Sequence, residues 1–459
     1  MKTAMITLAR RAATSLASAA IAVTLAVSVT AAQSVTAIVN GRVIDGHGGP
    51  PIARGVVLIE GNRITAVGPA TTVAIPVGAR IIDARGNSVL QGLADMHVHL
   101  LGGWDGETSD LLGYQRYLNA LLYSGVTTVL DAGNSLPFIQ QLRREQSAGR
   151  IAGPTIFMVG PLLDGANASW QFVSFAISSP AQIPRFVKQL KGAGVDAVKA
   201  YGGLTPEQIS DLVKAASAES LPVFADVWLR NGTAAVATLG ISAFAHLGTV
   251  PVTDETIAVM RDSAIATVTA LSVEESFSRR RLRDLRFLTE PLVANTMPPW
   301  FIADLTTFAA QNTRATDSAA TARAEYRLRN AMSNAKRLAD AGMMLVAGTD
   351  APYPGAFYGE ALHRELELLV EAGLTPLQAL TAATRNAARL MKQSAQWGTL
   401  EPGRRADVLI VRGDPSKRIG DTRNIEMVLQ SGRVIDRDAL RFDASRDPGF
   451  RTNPKAPPR

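Results

Sequence analysis

The amino-acid sequence predicts an α/β fold: a (β/α)8 TIM-like barrel with a small β-sandwich formed from both chain ends. Between residues 91 and 395, short apolar runs alternate with helical patterns, as they do in parallel βαβ units. Eight such units in about 300 residues match the size of a barrel of this kind. The flanking segments 33–90 and 396–440 show short strands separated by turns, which favours one sandwich built from both.

Three dipeptides mark turns in these flanking segments. Asn40-Gly41 and Gly61-Asn62 each follow an apolar run, and this pattern predicts a hairpin at each. Ser431-Gly432 connects two further short strands near the carboxyl end of the chain.

Eight barrel strands are predicted from the apolar runs. They are Leu93–His99, Thr127–Asp131, Thr155–Val159, Ala197–Lys199, Pro222–Asp226, Ala243–His246, Ala266–Ala270 and Met344–Gly348. The connection from Leu271 to Arg337 is too long for a plain loop, so we expect it to contain helices and to cover the barrel mouth.

Residues 1–32 show the pattern of an export signal peptide. A positive start with Lys2, Arg10 and Arg11 precedes an apolar run, and small residues at 29–31 offer a cleavage site. An uncleaved membrane anchor and a twin-arginine signal are the alternatives. The signal predicts a periplasmic or secreted protein that is not inserted in a membrane once the signal is removed. The tail 441–459 is rich in Pro, Arg and Asp, and this composition predicts disorder.

Composition excludes several kinds of site. The chain has no cysteine, which rules out disulfides, thiolate metal sites and cysteine nucleophiles, so any metal must be held by nitrogen and oxygen. The formal charge of +7 falls to +4 once the three cations of the signal are removed, and so small a surplus does not indicate a nucleic-acid partner. The sequence leaves the oligomeric state open, and a homo-oligomer is compatible with it.

Polar residues at the ends of the apolar strands form a candidate metal site. His97 and His99 are two residues apart, so their side chains share one face of the first strand at its carboxyl end, where barrel enzymes carry their active sites. Lys199, His246 and Asp350 end later strands in the same way. Taken singly, the histidines could be structural, the lysine could pair with a carboxylate, and the others could be core or capping residues. Carboxylation by CO₂ would turn Lys199 into an anion able to bridge two metals.

These residues resemble a known family. The run 93–100 (LADMHVHL) resembles the first-strand motif of the metal-dependent amidohydrolases, and 196–199 (DAVK) resembles their fourth-strand motif, whose lysine is carboxylated. Ala245-His246 and Gly348-Thr349-Asp350 are similar to the sixth and eighth strands. The stretch 363–388 resembles the last barrel helices of the imidazolonepropionase-like and prolidase-like branch, and 398–407 resembles the return into the sandwich. The resemblance spans residues 35 to 438.

The resemblance implies a hydrolase of C–N bonds acting on a small amide, a dipeptide-like substrate or a cyclic amide. His97 and His99 would bind a first divalent ion, and His246 would bind a second. Carboxylated Lys199 would bridge both ions, for which zinc is the expected metal. Asp350 would ligate the first ion and take a proton from the attacking water. A catalytically silent barrel that binds a metal or ligand is the alternative.

Asp226 departs from the family pattern, which usually has histidine at the end of the fifth strand. Three interpretations are open. Asp226 binds the second metal through oxygen, which zinc and manganese accept; or the site holds one metal only; or catalysis has been lost.

Aromatic residues near the strand ends are candidates for binding the substrate. They are Trp104, Trp170, Tyr201, Trp228 and Trp300. The loops after the strands form the pocket of such a barrel, so these side chains predict an aromatic lining. The alternative is that they pack against one another in the loops.

The signal pattern generates a first prediction. The mature protein should begin near Ala32 and accumulate outside the cytoplasm, because the charged start, apolar run and small residues are those that a signal peptidase removes. N-terminal sequencing of the protein from its native host measures this directly. An intact Met1 in a soluble cytoplasmic fraction would contradict it.

Overall fold

The computed structural model of the protein describes residues 35–106, 108–226, 233–314 and 318–447. The predicted signal segment, Trp228 and the part of the predicted tail from 448 onwards lie outside these residues. Within them, no helix combines the length and the hydropathy needed to cross a bilayer.

The part of the chain that the structure describes contains 18 strands. In the described residues they are β1 (Thr36–Ile44), β2 (Ile52–Glu60), β3 (Arg63–Pro69), β4 (Arg80–Asp83), β5 (Ser88–Gln91), β6 (Leu93–Val98), β7 (Val126–Asp131), β8 (Thr155–Met158), β9 (Leu162–Gly165), β10 (Ser174–Ile177), β11 (Val198–Ala200), β12 (Val223–Ala225), β13 (Ala243–Phe244), β14 (Ala266–Val268), β15 (Leu345–Val346), β16 (Val408–Val411), β17 (Ile425–Gln430) and β18 (Arg433–Val434).

The α-helices occupy the connections between strands. In the same residues they are α1 (Tyr114–Tyr123), α2 (Leu136–Ser147), α3 (Ile183–Gly192), α4 (Pro206–Ala218), α5 (Thr233–Ala237), α6 (Asp254–Asp262), α7 (Leu271–Phe277), α8 (Pro291–Ala294), α9 (Pro299–Arg314), α10 (Ser318–Asp340), α11 (Glu360–Glu371), α12 (Pro376–Ala382) and α13 (Arg385–Leu390). The long connection after β14 therefore contains helices, as predicted.

Eight parallel strands of the described chain form the barrel in the order β6-β7-β8-β11-β12-β13-β14-β15. The amide of Asp196 donates to the carbonyl of Met158 at 2.9 Å, which joins β8 to the segment leading into β11. A parallel bridge between Val98 and Ala351 closes the ring between β6 and the segment after β15. All eight predicted strands are confirmed, and β9 and β10 extend the sheet beside β11.

The two chain ends pair in one eight-stranded sheet, as predicted, with the order β18-β17-β16-β5-β1-β2-β3 and with β4 on β1. The hairpin predicted at Asn40-Gly41 is wrong, because β1 runs on through these residues. Asn40 has a φ of 57°, and the register with β2 shifts at this point, so the positive φ serves a bulge and not a turn. A Cβ on Gly41 would lie 2.4 Å from Val89 Cγ2, which explains the glycine there. The other two turns are confirmed.

The barrel interior is apolar below the strand ends. Met96, Leu130, Phe224 and Val346 from four strands pack there with further buried residues, and Trp397 belongs to the same cluster. This packed core leaves the carboxyl ends of the strands as the place for polar side chains.

The first seven residues of the tail are folded, so the predicted disorder is wrong for 441–447. The amide of Phe442 donates to the carbonyl of Asn295 at 2.8 Å, and its ring meets Trp300 edge-on at 5.3 Å. Because Phe442 and Trp300 are far apart in the chain, the composition of the tail alone does not indicate this contact.

Candidate metal centre and active site

All six predicted metal-site residues come together at the carboxyl ends of the barrel strands. His97 is on β6 and His99 follows it, Lys199 is on β11, Asp226 follows β12, His246 follows β13, and Asp350 follows β15. Their charged or ring atoms form one connected cluster in which each member is within 4 Å of another. The barrel topology therefore brings these six residues together from the ends of five strands.

The two histidines of β6 are held in the tautomer that suits a metal ligand. The Nδ1 atom of His97 lies 3.0 Å from the carbonyl oxygen of Ala245, and that of His99 lies 3.0 Å from the carbonyl oxygen of Gly133. Because a carbonyl oxygen only accepts, each Nδ1 carries the proton and each Nε2 presents its lone pair to the centre. Burial, followed by the nearby Lys199 ammonium, also holds the pKa of His97 well below its usual value, which favours the neutral ring.

Asp350 joins the histidines in one ligand group. Its Oδ1 lies 3.0 Å from His99 Nε2 and 3.3 Å from His97 Nε2, and its Oδ2 lies 3.8 Å from His246 Nε2. Burial raises the pKa of this carboxyl, but the imidazoles of His97, His99 and His246 lower it by more, so it lies below its usual value. The donor atoms of His97, His99 and Asp350 all fall within 4.8 Å of one another, and this set of nitrogens and a carboxylate oxygen fits a divalent ion.

The backbone around Asp350 is constrained to bring its carboxylate to the histidines. Asp350 has a φ of 56°, in the left-handed region that a residue with a side chain rarely adopts. Its amide donates to the carbonyl of His97 at 2.7 Å. A Cβ on Gly348 would lie 2.5 Å from Val268 Cγ1 and 2.9 Å from His97 Cβ, so glycine is needed where β15 approaches β6. The strain at Asp350 is therefore located at a ligand position, where strain tends to be retained for function.

Lys199, Asp226 and His246 form a second group beside the first. The Asp226 carboxylate lies 3.2 Å from Lys199 Nζ and 3.3 Å from His246 Nε2, and Lys199 Nζ also lies 3.0 Å from His97 Nε2. Burial raises the pKa of Asp226, but His246 and Lys199 lower it by more. Burial lowers the pKa of His246, but Asp226 raises it by more. Asp226 thus pairs with two cationic groups and lowers the cost of burying them.

Two buried carboxylates that sequence reasoning missed support the ligands from behind. Asp95 accepts hydrogen bonds from Thr349 Oγ1 at 2.7 Å and from the Thr349 amide at 3.0 Å, and burial raises its pKa to about 8. Asp131 accepts from the Leu100 amide at 2.9 Å and from Asn134 Nδ2 at 2.8 Å. Both are aspartates within or ending otherwise apolar strands, which is the signal that could have found them.

A pocket of about 660 Å³, including its open mouth, leads to this centre. Beside the ligands, its described lining is mostly small or apolar, with Leu101, Leu162, Phe172, Val173, Pro352 and Tyr353 among its members. Two of the predicted aromatic residues line it, and Trp170 Nε1 donates to the Tyr201 hydroxyl at 3.0 Å.

The other predicted aromatic residues are placed differently. Trp104 is outside the described lining and meets Phe308 edge-on at 6.0 Å, and Trp300 packs against Phe442 and Phe301 away from the pocket. Trp228 lies outside the described residues. The described lining also contains no residue of 271–337, so the described walls come from the strand ends and from the loops after β6, β9 and β15 and not from that connection.

A parallel barrel that gathers two histidines from its first strand with an aspartate after its last defines the class of metal-dependent barrel hydrolases. A family model described as the amidohydrolase family matches residues 88–435. The chain therefore belongs to the amidohydrolase family.

Individual relatives agree with this assignment. The imidazolonepropionase of Geobacillus kaustophilus (strain HTA426) is 25% identical over 420 residues, which cover 84% of this chain and 91% of that protein. A putative prolidase from Bifidobacterium longum has a TM-score of 0.71 at 25% identity and covers 89% of this chain and 98% of its own. A Xaa-Pro dipeptidase with bound methionine has a TM-score of 0.71 at 21% identity, covers 88% and 100%, and shows the shared fold. The predicted branch and the predicted class, a metal-dependent hydrolase of C–N bonds, are confirmed.

The geometry at Asp350 generates a second prediction. Replacing Asp350 with Asn should reduce turnover by about three orders of magnitude or more, since the carboxylate meets three ligand histidines and residues of this kind act as a unit. The melting temperature should stay close to that of the wild type, because the side chains have the same size. Steady-state kinetics and thermal unfolding measure the two effects.

Asp211→Asn is the matched control, because Asp211 is exposed and contacts Lys214 only through a surface ion pair. It should keep full activity. A folded Asp350→Asn protein with more than about a tenth of wild-type activity would contradict the role given to Asp350.

Proposed function

We propose that the centre holds two divalent ions, most simply zinc, and hydrolyses the amide bond of a small apolar substrate. His97, His99 and Asp350 would hold the first ion, and Lys199, Asp226 and His246 would hold the second. The observation that carries the proposal is the contact of Asp226 with both Lys199 and His246, at 3.2 and 3.3 Å, directly beside the first ligand group. An oxygen ligand at this position is acceptable to zinc and to manganese.

Lys199 is proposed to carry a carboxyl group when the ions are bound. Its side chain is only 2% exposed, and its Nζ is 3.0 Å from one ligand group and 3.2 Å from the other. A bare ammonium beside two cations would be electrostatically unfavourable, whereas a carboxylated amine would be an anion that supplies oxygen donors to them. The family resemblance supports the same assignment.

Bound divalent ions supply a water made acidic enough to attack at neutral pH and polarise the substrate carbonyl. The chain's own residues do the rest. Asp350 lines the pocket and would take the proton of the attacking water, then deliver it to the departing nitrogen. The imidazoles of His97 and His99 are held by backbone carbonyls, so the ligand geometry is set before substrate arrives.

The pocket walls favour substrates without a free carboxylate. Among the described lining residues, the cationic or potentially cationic side chains are Lys199, His99 and His246, which all belong to the centre. The remaining described walls present rings and aliphatic groups such as Trp170, Phe172 and Leu162, with hydroxyls from Thr108 and Ser109. A carboxylate against these described walls would lose hydration without gaining a cationic partner outside the centre. An uncharged amide or cyclic amide with an apolar substituent therefore fits better than a free dipeptide.

This substrate class generates a third prediction, tested with matched substrate pairs. The enzyme, refilled with zinc and bicarbonate, is assayed on acetanilide against 4-acetamidobenzoate and on leucyl-prolinamide against leucyl-proline. The member without the carboxylate should have the higher kcat/KM by about tenfold or more in each pair, the cost of one unpaired carboxylate at an apolar wall. A preference for the carboxylate in both pairs would replace the proposal with a dipeptidase.

The Asp226 assignment generates a fourth prediction. Asp226→Ala should lose one metal equivalent per chain, while Asp226→His should retain two and shift the pH optimum downwards. The shift follows because an anionic ligand makes the water bound to the ion less acidic than a neutral imidazole does. Replacing the carboxylate with imidazole should therefore lower the pKa of that water. Metal analysis and pH–rate profiles of the three proteins measure this. Equal metal content and equal profiles in Asp226→Ala and wild type would favour a single-metal site.

Export from the cytoplasm is proposed on the N-terminal pattern alone, namely Lys2, Arg10 and Arg11 before an apolar run with small residues at its end. The substrate would then be a molecule met in the periplasm or outside the cell.

A further inference from the structure

A short loop after β6 forms one side of the pocket mouth. This pocket loop, residues 101–106 and 108–110, contributes Leu101, Gly102, Gly106, Thr108 and Ser109 to the described lining. Backbone hydrogen bonds join its two parts: the Asp110 amide donates to the Leu101 carbonyl at 2.8 Å, and the Gly103 amide donates to the Thr108 carbonyl at 2.7 Å. The position of Asp110 is therefore coupled to that of the described loop residues.

Asp110 is fixed to helix α1 through its carboxylate. The guanidinium of Arg116 pairs with Oδ2, and the hydroxyl of Tyr117 donates to the same oxygen at 2.6 Å. The Gly113 amide donates to the other oxygen, Oδ1, at 2.9 Å. Tyr117 packs against Tyr358 at 4.5 Å between ring centroids, and the Tyr358 hydroxyl donates to the carbonyls of His99 and Gly102. The same small group of side chains thus holds both ends of the loop.

Arg116 has a second carboxylate partner from the far end of the chain. Its other terminal nitrogen pairs with Asp447, and the side chains of Arg116 and Asp447 are only 7% and 6% exposed. The guanidinium also lies 5.3 Å from the ring centres of Tyr117 and Phe301. A guanidinium that is buried between two carboxylates is held by both, because its planar fork offers two directed donors.

The segment that carries Asp447 is itself attached to the barrel. Phe442 bonds Asn295 through its amide and packs against Trp300. The C-terminal segment 441–447 is therefore a fixed support for Arg116.

We propose that Arg116 and Asp447 are positioning residues for the substrate pocket, and that the C-terminal segment 441–447 holds the pocket loop in its binding shape through the Asp447–Arg116–Asp110 pairs. The inference rests on the proposed function in one respect, that this pocket is where the substrate binds. Without Asp447, Arg116 keeps Asp110 but loses the group that fixes its own direction. The loop would then sample more shapes, and substrate would have to order it again on binding.

This effect should appear in KM and not in kcat. The loop lines the mouth, whereas the six residues of the metal centre come from the strand ends, and the rings of His97 and His99 are held by the carbonyls of Ala245 and Gly133. Loosening the mouth therefore weakens binding of substrate without changing the groups that act on the amide bond.

The test compares Asp447→Asn with the matched control Asp438→Asn. Asp438 lies in the same terminal region, but its side chain is 83% exposed and pairs only with Arg441. Hydrogen–deuterium exchange is followed by mass spectrometry in peptides covering 101–113, in the metal-loaded protein without substrate. We expect these peptides to exchange faster in Asp447→Asn than in the wild type. In Asp438→Asn they should exchange at the wild-type rate, and the metal content should be unchanged in both variants. With a cleaved substrate, KM should rise about tenfold for Asp447→Asn while kcat changes less than about twofold.

Arg116→Lys is the second variant, because lysine keeps the charge but cannot pair with two carboxylates through a planar fork. Arg116→Lys should show the same faster exchange and the same rise in KM. If Asp447→Asn does not fold, Arg116→Lys alone tests the proposal. Wild-type exchange in 101–113 for the folded variants would overturn the proposal whatever the substrate is. Faster exchange with an unchanged KM would overturn the link to substrate binding. Because the exchange experiment uses no substrate, a failure of the proposed substrate class leaves its result intact.

Discussion

The site depends on the need to neutralise charge at the top of an apolar barrel. Two carboxylates, a lysine and three histidines lie together above a core of Met96, Phe224 and Val346. In such surroundings an unpaired charge costs several kcal/mol, so each group must be matched by another or by a metal. Asp226 pairs with Lys199 and His246. The Asp350 carboxylate faces the neutral rings of His97 and His99, so a bound cation would match its charge. The two carboxylates thus divide the cluster into the two ligand groups on which the proposed chemistry depends.

The metal centre could be predicted from sequence because strand geometry fixes its ligand positions. Residues two apart on a strand share a face, and the carboxyl ends of parallel barrel strands meet at one rim. Those two rules suffice to bring His97 and His99 to Lys199, His246 and Asp350. They also admit Asp226, because the rules concern position and not residue type. Asp95 and Asp131 obey the same rules, but strand position alone does not show that their carboxylates accept hydrogen bonds behind the ligands.

The pocket walls and the tail could not be predicted in the same way, because they depend on contacts between loops. Trp170 and Trp300 are both loop-region tryptophans by sequence, yet one lines the pocket and the other packs against Phe442. Composition predicted disorder for 441–447, whereas Asp447 pairs with Arg116 on α1, far earlier in the chain. Asn40-Gly41 predicted a turn, because a positive φ suits a bulge inside a strand as well as a hairpin. In each case a partner distant in sequence decides between two local structures of similar energy.

Anomalous diffraction from crystals of the zinc-loaded protein, recorded at the zinc absorption edge, is the most direct test that the polar cluster is a metal centre. The account predicts a peak at about 2.0–2.2 Å from Nε2 of His97, Nε2 of His99 and a carboxylate oxygen of Asp350. It further predicts that Nδ1 of both histidines stays on the carbonyls of Ala245 and Gly133, as in the present structure. Zinc-loaded crystals with no peak among these three residues, or with the rings turned to present Nδ1, would contradict it.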